Sequence, residues 1–306
     1  MWWRRDPCSR ASIGDVEDAP SRISDPPGEL APPFAPGPGP GAVILACEMI
    51  EDEVGSALEL AAARDGRDAS AAGSLVWIES GLHERPEKLR DHIQLLVDRL
   101  DEAAETGTPA ELPSVRPGMG PAATRGETVI VPPPGAASSA EPGRDILLAL
   151  GYCGNGLQGL VSRHHRLVFP RVDDCISLFL NHGCTREEIV RDAHAFYLTK
   201  GWLCHDNPVQ ESLEMWTERF GAEKARQLRK TTLAAYERVT LIDTGAYDVA
   251  ATLPESHAFA RDLDLEHTET PGSIVLLERL FAGPWDSEIV VVTPGEAITI
   301  LHLFEA

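Results

Sequence analysis

Three cysteines and a histidine, Cys47, Cys153, Cys175 and His83, stand where chemistry is expected, because each closely follows an apolar run. The runs are Ala42-Val43-Ile44-Leu45-Ala46, Leu75-Val76-Trp77-Ile78, Ile146-Leu147-Leu148-Ala149-Leu150 and Leu167-Val168-Phe169. If these are parallel neighbouring strands, their carboxyl ends share one edge, the place where open α/β sheets bind ligands. Three thiolates and an imidazole suit zinc, which takes soft sulfur and borderline nitrogen in a tetrahedron. No CxxC spacing is present, so the argument rests on position alone. Packing is the competing role, since free cysteine is among the most buried residue types. Cys47 lies closest to a buried strand and Cys175 follows two aspartates. His83 precedes Pro86 and is also accounted for as a loop histidine bonded to a carbonyl. Cys153, among Gly151, Gly154, Gly156 and Gly159, has little to pack against. The expected order as ligands is therefore Cys153, Cys175, His83, Cys47. Cys184 and the Cys204-His205 pair are spare candidates.

Gly154-Asn155-Gly156-Leu157-Gln158-Gly159 is a literal GxGxxG after a strand, with Asp173 and Asp174 downstream. This is the alternative reading: a dinucleotide turn in which Gly154, Gly156 and Gly159 let backbone amides approach a pyrophosphate. Only seven residues separate Gly159 from Leu167, short for a helical crossover. The glycines serve equally to let a substrate approach Cys153. Glu48 and Tyr152 are the candidate catalytic side chains, as base or as proton donor. His164 and His165 are weaker donors, in a charged loop.

Strands alternating with helices predict a doubly wound α/β fold: a mainly parallel sheet with helices on both faces. A helix starts at Pro86 with Leu89, Ile93, Leu96 and Leu100 on one face. Thr185-Arg186-Glu187-Glu188 reads as a capping box opening another. Asn207-Pro208 opens a third, which buries Leu213, Trp216 and Phe220 and stops at Gly221; a fourth runs through Leu228 and Leu233. Val239–Ile242 and Ile289–Val292 read as later strands. Residues 1–40 read as a disordered Pro/Gly-rich extension to an α/β domain over 41–306. About 104–143 reads as a Pro/Gly/Ala-rich insertion or linker, with only Thr128–Val131 as a short strand.

The formal charge is −21, from 27 Lys+Arg against 48 Asp+Glu, so nucleic acid and membrane surfaces are poor partners. The N-terminus has basic residues without an apolar stretch behind them, so a cytoplasmic location is expected and the six cysteines read as ligands, nucleophiles or core residues, not disulfides.

The strand end at Ile44–Glu48, Leu82-His83, Gly151-Tyr152-Cys153-Gly154, Asp174-Cys175 and the Tyr197–Trp202 segment together resemble the bacterial and archaeal family known as domain of unknown function 1638, over about 42–295 outside the insertion. The resemblance implies an α/β protein met beside corrinoid-dependent methyltransferase systems, hence one-carbon chemistry. The expectation is a zinc-binding enzyme or enzyme component of methyl-group metabolism. Its partner is a small-molecule substrate or a corrinoid methyltransferase-system protein, and corrinoid is met only through that partner. The alternatives are a non-catalytic accessory that handles metal or corrinoid, and a dinucleotide-binding enzyme. The sequence does not fix the oligomeric state.

Overall fold

The computed structural model describes residues 37–65, 73–118, 122–134, 143–205 and 215–304. Most of the N-terminal extension, Cys8, the Asn207-Pro208 helix start and Leu213 lie outside the described residues.

In chain order the strands are β1 (Val43–Cys47), β2 (Ser74–Ile78), β3 (Ala110–Val115), β4 (Gly126–Val131), β5 (Asp145–Ala149), β6 (Arg166–Pro170), β7 (Ala195–Leu198), β8 (Arg238–Asp243), β9 (Glu266–Pro271) and β10 (Ile289–Val292). The helices that matter here are α1 (Glu51–Asp65), α2 (Pro86–Thr106), α3 (Ala122–Arg125), α4 (Cys175–Leu180), α5 (Lys200–Cys204), α6 (Ala222–Thr232), α7 (Val249–Leu263) and α8 (Val275–Ala282).

The fold is mixed α/β with a mainly parallel five-stranded sheet in the order β10-β6-β5-β1-β2. β1 is its hub, parallel to β2 on one side and β5 on the other. All five residues of β1 are buried. Ile44 and Ala46 join the core shared with α1 and α8 on one face. Val43 and Leu45 face α2 on the other, against Leu89, Ile93, Leu96 and Leu100. A strand buried on both faces must be apolar at every position, which is why these runs are continuous. α2 begins at Pro86 and ends at Gly107, whose φ of 69° supplies the left-handed turn that stops it.

The sheet is mainly parallel, as expected, with one antiparallel edge where β10 returns from α8 by a short loop and pairs with β6. Three expectations are corrected. Val239–Ile242 does not join this sheet. It lies in β8, the centre of a separate parallel sheet β7-β8-β9. The capping box at Thr185 is real, with the Glu188 carboxylate accepting the Thr185 amide at 3.0 Å, but it opens only a single 3-10 turn. Ile189 and Val190 are β-branched, and Asp192 then caps the His194 amide at 2.9 Å, diverting the chain into β7. Phe220 is exposed, not buried, and is covered instead by the cations of Arg219 and Lys224, each 5.3 Å from its ring.

The stretch read as an insertion holds a two-stranded antiparallel hairpin, β3 with β4, beyond the one short strand expected. Ala110, Leu112 and Val131 are buried on it. Ser114 Oγ accepts the Trp77 amide at 2.9 Å, so the hairpin covers the outer edge of β2.

Candidate functional site

The order β5-β1-β2 contains the switch at which the site forms. From β1 the chain proceeds to β2 on one side, and from β5 it proceeds to β6 on the other. The connections leaving the carboxyl ends of β1 and β5 therefore diverge and leave a crevice between them. Cys47 is the last residue of β1. The turn after β5 carries Cys153, and the segment after β6 carries Cys175 at the start of α4.

Close backbone approach brings the last two together. A Cβ on Gly151 would lie 2.4 Å from the Asp174 backbone. Only glycine permits that contact, and two hydrogen bonds exploit it: Tyr152 N to Val172 O at 3.0 Å and Cys153 N to Asp173 O at 2.8 Å. The glycine segment does not open a helix, as expected from its motif; residues 153–159 are successive turns, and Cys153 itself has φ 46°. The helix N-terminus that a dinucleotide turn uses is thus not formed by this segment.

The three sulfurs form the floor of a cavity of about 320 Å³. The neighbouring Cys153 thiol holds the Cys175 thiol below its usual range, assisted by the Gly151 backbone and opposed by burial. Cys175, with burial and Cys47, pushes Cys153 well up. Burial first, then Cys175, pushes Cys47 up. The first thiolate therefore forms on Cys175.

His83 lines the cavity too. Its Nδ1 lies on the Ser80 carbonyl, which can only accept, so the neutral ring carries its proton there and leaves Nε2 as the basic atom. Its ring sits edge-on to Trp202 at 5.4 Å. Cys47, His83, Cys153 and Cys175 thus meet around one space. Among the described residues, however, no group of three His, Cys, Asp or Glu side chains stands in a metal-holding arrangement.

The two candidate catalytic side chains are placed elsewhere. Glu48 is fully buried behind the cavity wall, where Arg125 grips both oxygens at 2.5 and 3.2 Å and the Ser80 amide donates at 3.0 Å. The Tyr152 hydroxyl donates to Gln158 at 2.5 Å within the α2 side of the core, and burial raises its pKa. His165 is buried, with Nε2 on the Leu100 carbonyl at 3.1 Å. Of the spare cysteines, Cys204 is a free thiol outside the cavity lining, while Cys184 is not among the free thiols, against the expectation of unpaired cysteines throughout.

Trp202, Phe196 and Tyr236, none of them among the candidate residues named from the sequence, form cavity walls. Their signal was the aromatic cluster Phe196-Tyr197 and Trp202 beside a glycine. A Cβ on Gly201 would lie 1.8 Å from Met49 O, so α5 rests directly on the turn after β1 and carries Trp202 over the sulfurs. Gly201→Ala is expected to push α5 away and cost about 1–3 kcal/mol. A urea midpoint equal to that of the unsubstituted chain would show that α5 does not depend on this contact.

Residues 136–281 match the model of a family described as "Protein of unknown function (DUF1638)", so the resemblance holds over that stretch, which includes Cys153, Cys175, Phe196, Trp202 and Tyr236 but not β1 or β2. No curated protein and no solved structure matches the chain. Among the described residues no helix is long and apolar enough to cross a membrane.

Proposed function

We propose that the thiol-floored cavity is a soft-metal site, with zinc as the ion. Cys153 and Cys175 are its first ligands, and Cys47 and His83 Nε2 complete the set. The chain is then an enzyme, or a component, of methyl-group chemistry acting on a small molecule or beside a corrinoid methyltransferase-system protein. The observation that carries this reading is the convergence of three thiols from three neighbouring strand ends on one cavity. Cys175 raises the pKa values of both Cys47 and Cys153, so the three sulfurs cannot ionise together unaided. A divalent cation reverses that logic, and the thiols must close on it. Zinc held by all four is saturated; with one cysteine displaced, a substrate thiol could take the open position, lose its proton there and become a methyl acceptor near neutral pH. His83 is oriented for its part by the Ser80 carbonyl.

The test is elemental analysis of the full chain purified anaerobically without added metal. About one zinc per chain is expected, with zinc–sulfur distances near ~2.3 Å by X-ray absorption. Cys153→Ser should lose the metal and Cys204→Ser should keep it. Zinc-free protein, or full zinc in Cys153→Ser, defeats the proposal. A second reading, a metal-free dithiol with Cys175 as nucleophile, is favoured by Cys153 and Cys175 lining one cavity, with the Cys175 thiol held below its usual range. Zinc-free protein that alkylates first at Cys175 would support it.

A further inference from the structure

We propose that this cavity binds a small methylated ammonium cation, seated against the rings of Trp202, Phe196 and Tyr236 and attracted by the carboxylate of Glu79. This names a ligand class for the same cavity and rests on its being the functional site, not on its holding a metal.

The walls carry the argument. Phe196 meets Trp202 at 6.1 Å and 80°, and meets Tyr236 at 5.4 Å and 89°. Rings that meet near right angles around one space present π surface to it from more than one direction. A ligand that needs only apolar contact is served as well by aliphatic walls. A weakly hydrated cation gains additionally from each ring's quadrupole. The polar lining has the matching sign. Glu79 and Asp174 both line the cavity. Its one arginine, Arg191, is committed to Asp174 at 2.6 Å and already lies 6.0 Å from the Tyr197 ring, a cation resting on this same wall. No uncommitted arginine or lysine lines the cavity among the described residues, so an anion finds no free partner. The formal charge of −21 acts in the same direction at long range. The volume of about 320 Å³ is at the small end for ligand sites, fitting a compact head group.

The test compares choline with 3,3-dimethylbutan-1-ol, which replaces the quaternary nitrogen by carbon at nearly the same shape. Titration calorimetry on the full chain at low ionic strength should give at least ~10-fold tighter binding of choline. Trp202→Leu should remove most of that preference. Tyr236→Leu, at a partly exposed position, should reduce it while the circular dichroism spectrum stays unchanged. Glu79→Gln should weaken choline but not the alcohol. Equal affinities for the two compounds, no binding of either at millimolar concentration, or a preference that survives both aromatic substitutions would overturn the inference. Zinc measured on the same samples separates the two proposals. Zinc-loaded protein without choline preference defeats only this one, and zinc-free protein with the preference defeats only the metal.

Discussion

Arg125→Met is expected to cost about 3–5 kcal/mol of folding stability, the scale for stripping a buried ion of its partner. Glu48 has no exposed surface, and Arg125 is itself only 10% exposed. The guanidinium comes from α3 and the carboxylate from the turn after β1, so this pair fastens the hairpin to the carboxyl end of β1. With Arg125 gone, Glu48 keeps the Ser80 amide and His205 Nδ1 at 3.7 Å, a weaker pairing for a buried charge than the two-pronged guanidinium. The double variant Glu48→Met/Arg125→Met should recover most of the loss, because no charge is then left unpaired. Urea unfolding reads both numbers. A loss under about 1 kcal/mol for Arg125→Met would mean that water reaches Glu48 and that the pair is a surface-type interaction. The pair also explains why Glu48, attractive as a base beside Cys47, serves structure: both of its oxygens are occupied.

Glu53 should make the protein less stable as pH rises from 5 to 8, and Glu53→Gln should abolish that trend. Glu53 sits in the first turn of α1 with 1% exposure, accepting the Thr244 hydroxyl at 3.1 Å. Burial pushes its pKa from 4.5 up to about 7. The folded state thus favours the protonated form. Its contribution is fully present below pH 4.5 and is lost as pH climbs through about 7. The interval between those values corresponds to about 3 kcal/mol. Urea midpoints at pH 5 and pH 8 should converge for the unsubstituted chain and Glu53→Gln at the lower pH and separate at the higher, with the Gln variant the more stable. An unchanged gap between the two proteins at both pH values would contradict the burial argument.

What could be read from the sequence follows from where burial is complete. β1, β2, β5 and β6 are covered on both faces or nearly so, and their unbroken apolar runs announce them, along with the cysteines at their ends. β3 was missed because Glu111 and Pro113 interrupt it; its inward residues, Ala110, Leu112 and Ser114, alternate with them. β9, Glu266-His267-Thr268-Glu269-Thr270-Pro271, is an edge strand with almost no apolar residue, so nothing local marks it. Without β9 the separate β7-β8-β9 sheet is invisible, since partner choice is tertiary. The cavity's sulfur floor was legible as strand ends. Its aromatic walls were not, because Trp202 is placed by Gly201 meeting Met49, and Phe196 and Tyr236 come from and beside the separate β7-β8 pair.

The position of β1 has a consequence for how this molecule can be cut. Both of its hydrogen-bonding edges are used, one by β2 and one by β5. A polypeptide spanning only 136–281 keeps β5 and β6 but loses the strand that shields Ile146, Leu147 and Leu148. It would present a bare, apolar row of amides and carbonyls, a template on which a second chain can add itself. The stretch that carries Cys153 and Cys175 is therefore not an autonomous folding unit, and it depends on a strand about a hundred residues upstream, the one that ends at Cys47.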